Sequence, residues 1–465
     1  MSSILHVIPR LTRGGASHSL LTAVEALSAR GGDHRHTIAS LRRGDVEMDE
    51  RARQAGVDVI HEPGAEQLEE LIAAAEVVQL DWWNTPEMGE LLRSRLPEAR
   101  LVAWSHVGGR SAPQVLTDEL IALPDEFVAS TPISGLERVI PDIADPARVA
   151  GVQRREGEGY VVGYIGTVDP AKMHPRFVAM SAAVRVPGSR FVVAGTGDGF
   201  AAIARRAEEL GARERFDLRG YVRDVAPVLS AVDVFGYPLC RGNYGAAELV
   251  VQEAMHAGIP PVVLPYGGAA TLVEDGVTGL VAADEPGYTE AVEALGRDPE
   301  LRRRLGDAAR EHARRTWSPA AVAADWARVY EELLTRPKRA RDPLPPIAAG
   351  AESFVAGLGE AAAPFRVSLA AADLDAALAA DAEIGASDAV LLSSDGGLLD
   401  YRRRYPEDPH LRLWSGLALR AQGRKALAAG ELAGAIRLGC DRRRADPMLE
   451  QITEQLGVPA AVGER

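Results

Sequence analysis

Two carboxylates five residues apart, Glu248 and Glu253, lie in the stretch "NYGAAELVVQEAMHAGIPPVV", Asn243 to Val263. If a helix opens near Ala247, they point about 140° apart around it. They cannot then converge on one face as a metal pair or a carboxylate dyad would, so each must have its own task. Lys172, in "IGTVDPAKMHP", stands in a loop after an apolar run. Its flexible stem can carry a point charge to an anion, or simply to solvent. Glycine-rich loops occur twice: Gly14 and Gly15, followed by Ala16, in "TRGGAS", and Gly195 and Gly197 in "VVAGTGDG". Loops of this kind let backbone amides approach a phosphate at a helix start, and they equally serve as tight turns. Asp81, Trp82, Trp83 and Asn84 in "VVQLDWWNTPEM" combine aromatic planes with polar groups. Such a set suits stacking on and hydrogen bonding a sugar or heterocyclic acceptor, although tryptophans also fill cores. His106 in "VAWSHVGG" ends another apolar run, where it is either a satisfied core histidine or one facing a ligand.

These residues need elements to position them. The first third alternates short β-like runs, "ILHVI", "VDVI", "EVVQL", "RLVAWSH" and "EFVAS", with helical segments such as "SHSLLTAVEALSAR". After a Pro/Gly/charge-rich passage from Asp145 to Gly159 the rhythm restarts with "YVVGYIG", "RFVVAG", "RFDLRG", "VDVFGYP" and "PPVVLP". This predicts two successive α/β units with parallel sheets covered on both faces, and ligands at the carboxyl ends of the strands. The glycine loop at 195–199 lacks a following acidic residue at dinucleotide spacing, so hydride chemistry is disfavoured. From Asp298 the pattern turns helical, and "SPAAVAADWARVYEELL" is expected to return and brace the first unit. The four-proline, basic stretch "RPKRARDPLPPIAAG" reads as a linker. Beyond it, "DPHLRLWSGLALRAQGRKALAAGELAGAIRLG" reads as a helical hairpin of tetratricopeptide-like type, with no clear second copy at a fixed period. The expected domains are therefore 1–150, 151–335, a linker 336–350, and a helical domain 351–465.

The composition narrows the function classes. With 52 basic and 66 acidic side chains the net charge is −14, which argues against a nucleic-acid or anionic-membrane binder but leaves room for a local phosphate site. Only Cys240 and Cys440 are present, supporting neither a disulfide framework nor a cysteine metal site. The start "MSSILHVIPRL" lacks the features of a signal peptide, and no long uninterrupted apolar run occurs, so a cytoplasmic protein without a transmembrane segment is expected.

The segment "DLRGYVRDVAPVLSAVDVFGYPL", together with "GGAATLVEDGVTGLVA" and the opening glycine loop, resembles the retaining glycosyltransferase family 4-like group of GT-B enzymes. The resemblance runs from about Ile4 to Leu334 and is most specific from Gly163 to Val281. It implies a GT-B fold of two Rossmann-like domains facing across a cleft, the N-terminal one binding acceptor and the other a nucleotide sugar. It places the family's glycine loop on Gly14, Gly15 and Ala16, its sugar-proximal histidine on His106, and the base and ribose region around Tyr221 and Val222. The basic pair at the donor diphosphate falls on Thr167 and Lys172, and the Glu-x7-Glu motif on Gly245 and Glu253. An arginine and a glutamate are thus missing, with Glu248 three residues beyond the second gap.

The chemistry stands without the family name. The amides of Leu249 and Val250 at a helix start, with Lys172, can neutralise a leaving diphosphate, so no bound metal is required. The resemblance makes Glu253 the family's acid that accepts from ribose hydroxyls, a role that a carboxylate with two free oxygens matches; Glu248 either contacts the donor sugar or merely meets the helix dipole. Together with these groups, the resemblance implies a retaining, metal-independent hexosyltransferase acting from a nucleoside diphosphate sugar, with UDP favoured over GDP. No separate cofactor is expected, and the acceptor is a soluble small molecule or glycan. The helical domain is the candidate for a protein partner or self-association. Two rivals remain: a non-catalytic scaffold on a degenerate transferase unit, and a sugar-nucleotide epimerase or hydrolase on the same fold.

Overall fold

The structure is a computed structural model that describes residues 2–31, 34–108, 111–154, 157–370 and 373–456. Two six-stranded parallel sheets organise most of it. In the first, β1 (Ser2–Arg10), β2 (His34–Arg42), β3 (Asp58–His61), β4 (Val77–Trp82), β5 (Leu101–Ser105) and β6 (Glu126–Ala129) are ordered β3-β2-β1-β4-β5-β6. In the second, β7 (Tyr160–Ile165), β8 (Ser189–Ala194), β9 (Phe216–Gly220), β10 (Val234–Tyr237), β11 (Pro261–Val263) and β12 (Leu280–Val281) are ordered β12-β11-β10-β7-β8-β9. Every residue of β4, β5, β7 and β10 is buried, as expected of central parallel strands with helices on both faces. Both orders reverse direction once, between β1 and β4 and between β7 and β10. At such a switch point the loops leaving neighbouring strands diverge and open a crevice beyond the strand ends.

Two strands escaped the sequence reading, the two-residue β12 and the long β2. β2, "HRHTIASLR", begins with alternating histidines and an arginine that do not look like a core strand, yet it pairs with β1 over most of its length. His36 is buried because its Nδ1 lies 2.9 Å from His6 Nε2, so the pairing that makes it a core residue comes from another strand.

Asp-Pro punctuation sets several helices. Asp284 and Asp298 accept backbone bonds from Gly287 and Leu301 at the starts of Glu285–Arg297 and Pro299–Thr316, each with proline in the first turn. The following helix, Pro319–Leu334, does return to the first sheet as expected. Trp326 packs on Trp104 of β5 at 5.0 Å, and the Tyr330 hydroxyl donates to Gln79 Oε1 at 2.7 Å.

The chain divides into two compact units. The first comprises residues 1–82, 96–108 and 122–341 and holds both sheets. The second comprises 83–95, 109–121 and 342–465. The change at 341/342 lies in the proline-rich basic passage, whereas the inclusion of 83–95 and 109–121 has no compositional signal. In the second unit Phe354, Phe365 and Trp414 form an aromatic centre, and the Trp414 indole donates to Ser368 Oγ at 2.7 Å. The expected hairpin is Pro409–Ala421 against Lys425–Arg437, where a Cβ on Gly416 would come within 2.7 Å of Leu432 Cγ. Among the described residues, no helix is long and apolar enough to cross a membrane.

Candidate active site

Lys172 follows β7 and Glu248 follows β10, so the switch point of the second sheet brings together residues 76 positions apart in sequence. Lys172 Nζ lies 2.9 Å from Glu248 Oε2, and the Tyr237 hydroxyl at the end of β10 donates to the same oxygen at 2.9 Å. Glu248 is buried, while the lysine side chain keeps 31% of its surface in solvent. The helix opens later than expected: it spans Leu249–His256, and Glu248 is its cap residue with extended backbone. Glu248 is therefore not a first-turn glutamate. Its side chain makes no cap hydrogen bond and instead turns to Lys172 and Tyr237. The amides of Val251 and Gln252 return to the Glu248 carbonyl, leaving those of Leu249 and Val250 as the open donors at the helix start.

The gap at Gly245 has a spatial counterpart. A Cβ built on Gly245 would lie 2.1 Å from Glu248 Oε1 and 2.8 Å from Asn243 Oδ1. The Glu248 carboxylate thus fills the space into which a side chain at 245 would project.

The glycine loops have distinct jobs. Gly195 and Gly197 have φ of 137° and 124°, and a Cβ on them would meet Gly166 O at 1.8 Å and Val168 O at 2.4 Å. They let the loop after β8 pack directly on the loop after β7 and so hold the backbone leading to Lys172. Thr167 lies in that contact region, exposed, its carbonyl accepting the Tyr164 hydroxyl at 2.8 Å. Gly14 caps the helix Gly15–Ala29. A Cβ on Gly15 would be 3.5 Å from Leu249 Cγ, so the loop after β1, with Ala16 just inside its helix, reaches the amino end of the Leu249–His256 helix. Two more contacts join the sheets' loops: Gly108 N donates to Tyr244 O at 2.6 Å, and the Tyr221 hydroxyl donates to Glu47 Oε2 at 3.0 Å. Tyr221 also lies under the Arg13 guanidinium, with Val222 half-buried beside it.

Glu253 is placed apart from Glu248 as expected, but it already has a partner. Its Oε1 pairs with Arg148 Nη1 at 2.5 Å, from the short helix Pro146–Val149 between the sheets. Burial pushes the Glu253 carboxyl up to about 7; Arg148 pulls against this and Asp145 adds to it. Next to it, Gln252 accepts from Ala144 N and donates to Asp142 O, fastening the connecting segment to the same helix. Arg148, Gln252 and Tyr237 were not singled out from sequence. Arg148 lies in a passage whose only local signal is charge and proline.

Of the two readings of His106, a satisfied core histidine or one facing a ligand, the structure shows the side chain buried and bonded internally. Its Nδ1 is 2.8 Å from Asp142 Oδ1 and its Nε2 3.3 Å from Asp81 Oδ1, with 1% of the side chain exposed. Burial opposes charge on this ring, yet the two carboxylates outweigh it and raise its pKa to about 10. Asp81 also accepts from Gln79 Nε2 and lies 3.6 Å from His6 Nδ1. Its burial disfavours ionisation, but hydrogen bonds from His106 and His6 hold its pKa below the ordinary value. Both ring nitrogens of His106 are therefore committed internally, whereas Asp81 Oδ2 is buried without a hydrogen-bond partner; the backbone just after His106, at Val107, bridges to Gly245.

The aromatic quartet is likewise divided. Trp82 is buried in the first unit. Trp83 and Asn84 belong to the second, where the Trp83 indole donates to Asp395 O at 3.3 Å and Asn84 is bonded to Gln114 and Pro113. No group of three or more histidine, cysteine, aspartate or glutamate side chains able to hold a metal ion occurs among the described residues.

Residues 159–298 match the family model described as Glycosyl transferases group 1. The chain carries a glycosyl transferases group 1 domain. That domain contains Lys172, Glu248 and Glu253. The chain is 32% identical over 230 residues to a D-inositol 3-phosphate glycosyltransferase of Stackebrandtia nassauensis, covering 45% of this chain and 50% of that protein. It is 27% identical over 325 residues to one of Mycobacterium bovis, covering 61% and 64%. The chain thus spans about half to under two thirds of the length of these relatives. Among solved structures, Anabaena Alr3699/HepE in complex with UDP and glucose superposes with a TM-score of 0.57 at 16% identity, over 71% of this chain and 100% of that one. Sucrose-phosphate synthase from Thermosynechococcus elongatus gives 0.57 at 18% identity, over 72% and 100%. The group 1 domain and the preceding sheet together have the GT-B architecture.

Proposed function

We propose that this protein is a retaining, metal-independent glycosyltransferase that moves a hexose from a nucleoside diphosphate sugar, UDP favoured, to a small soluble acceptor or glycan. The observation that carries the reading is the Lys172–Glu248 pair at the β7/β10 switch point, beside open amides at the start of the Leu249–His256 helix and within reach of the Gly15 loop. A diphosphate placed there meets a mobile cation and two aligned N–H donors. These stabilise the charge that grows on the leaving group as the anomeric C–O bond breaks. The acceptor oxygen bonds to the anomeric carbon on the same face, and its proton passes to the departing phosphate oxygen. Glu248 accepts from donor-sugar hydroxyls and Glu253 from the ribose. The names of the sequence relatives make a phosphorylated cyclitol the first acceptor to try. The helical second unit, read as tetratricopeptide-like, supplies the surface for a protein partner or self-association.

The test is a nucleotide-sugar panel by thermal shift, followed by mass spectrometry of products from an acceptor mixture that includes phosphorylated polyols, with and without EDTA. Glycosylated product at an unchanged rate in EDTA is expected. Bound nucleotide with no product on any acceptor would favour the scaffold. Free or isomerised sugar without transfer would favour the hydrolase or epimerase.

Glu248→Gln separates sugar contact from a bland role. The substitution keeps size and acceptor capacity but removes the charge that holds Lys172, so free UDP should bind as well as or better than before. Single-turnover transfer should fall by about 10- to 100-fold, or about 1.4–2.7 kcal/mol, because the lost contact belongs to the sugar at the reacting centre. Equal small changes in UDP affinity and transfer, measured by calorimetry and rapid quench, would leave Glu248 as a structural partner of Tyr237.

A further inference from the structure

A polar cavity of about 410 Å³ lies at the carboxyl end of the Leu249–His256 helix. Its walls are the connecting segment at Pro146 and Val149, the helix end at His256, two arginines of the Pro299–Thr316 helix, Arg310 and Arg314, and Trp317 at the turn that follows. This volume falls in the range of small-molecule pockets. The lining carries two arginines and a histidine and no carboxylate.

The charges differ in how they are used. Arg310 donates to the Ala257 carbonyl, capping the helix. Asp307, one turn before Arg310, is taken up by Arg154 at 2.7 Å, and Glu311, also on this helix, is exposed and outside the cavity lining. Arg314 forms no ion pair among the described residues, although it stands one turn from Arg310. His256 Nε2 is buried without a hydrogen-bond partner, and burial followed by the charge of Arg314 lowers the pKa of its ring, keeping the imidazole neutral. A buried polar atom with no partner calls for one. Here it lies beside an uncompensated guanidinium, whose planar fork suits a phosphate or carboxylate. Trp317 and Val149 are buried apolar walls on which the body of such a molecule can pack.

We propose that this cavity binds a small organic anion, with an oxyanion head on Arg314 and His256 and an apolar body against Trp317. The site is separate from Lys172 and does not depend on the transferase reading. It borders both the helix that carries Glu253 and the segment that carries Arg148, so its occupant acts on the connection between the two sheets.

Phenyl phosphate is a suitable probe, titrated into the full-length protein by calorimetry. Saturable binding is expected, at least about tenfold weaker in Arg314→Gln, partly restored in Arg314→Lys, and unchanged in Lys172→Met. Arg314 is exposed and unpaired, so its variants should melt like the parent protein. Binding retained in Arg314→Gln, binding lost in Lys172→Met, or no saturable binding at millimolar probe would each overturn the assignment.

Discussion

Lys172→Met should lower the transfer rate at saturating donor by about 10²- to 10³-fold, or about 2.7–4 kcal/mol, the effect seen when one preorganised donor to a developing anion is removed. The upper part of that range is expected because Thr167 stands where the resembling family has an arginine, and Arg176, the other cation of this loop, is paired with Glu285. Methionine retains much of the stem's packing while removing the charge. Removal also leaves the buried Glu248 carboxylate with the Tyr237 hydroxyl as its hydrogen-bond donor and no paired cation, which costs stability. The lysine is about a third exposed, so this cost should be modest, on the order of 1 kcal/mol after screening. The double variant Lys172→Met/Glu248→Gln tells the two effects apart. Chemical denaturation should show its stability returning toward that of the parent protein, while single-turnover rates stay low. A Lys172→Met enzyme within threefold of the parent rate would sink the diphosphate role.

Glu253 gives the second large effect, and one with a pH signature. Its folded-state pKa, about 7, exceeds the ordinary 4.5 because burial outweighs Arg148. Between those values the folded protein binds more protons than the unfolded chain. The group's cost to stability therefore grows as pH rises through about 4.5 to 7 and is fully present above. Ribose hydroxyls need the ionised carboxylate as acceptor. Sugar-nucleotide affinity should consequently increase from pH 6 to pH 8, approaching tenfold per unit at the acid end. A nucleotide sugar is the right ligand, since its diphosphate is esterified at both ends and does not titrate near neutrality. The neighbouring groups leave this window clear: burial together with Arg148 and Arg51 lowers His18 to about 3, and His106 is held near 10. Glu253→Gln should flatten the profile and weaken binding at pH 8 by about 1.5–3 kcal/mol. Calorimetry on both proteins across this range decides it. A parent profile as flat as the variant's, or equal affinities at pH 8, would remove Glu253 from the ribose site.

The candidate site was legible where it follows chain order and illegible where it depends on side-chain direction. Lys172, Glu248 and the two glycine loops each sit just beyond an apolar strand, and that pattern was readable. That Glu248 turns back under Gly245 was not, because it depends on a helix start two residues later than the pattern suggested. For His106 the sequence left a core histidine and a ligand-facing one both open. Its strand end was visible, but Asp142 and Asp81, which occupy both ring nitrogens, come from 36 and 25 residues away.

The sequence by itself determined the two parallel sheets, the returning helix and the strand ends from which the site is built, because hydrophobic runs and glycine or proline breaks are local consequences of burial and backbone freedom. It also determined that Glu248 and Glu253 serve different places. Tertiary structure alone decided which side chains pair: Lys172 with Glu248, Arg148 with Glu253, His6 with His36. It likewise placed residues 83–95 and 109–121 with the C-terminal helices. The reason is physical. Strand order and switch points fix which loops become neighbours, and ion pairs or packing between distant segments leave no periodicity in the chain that carries them.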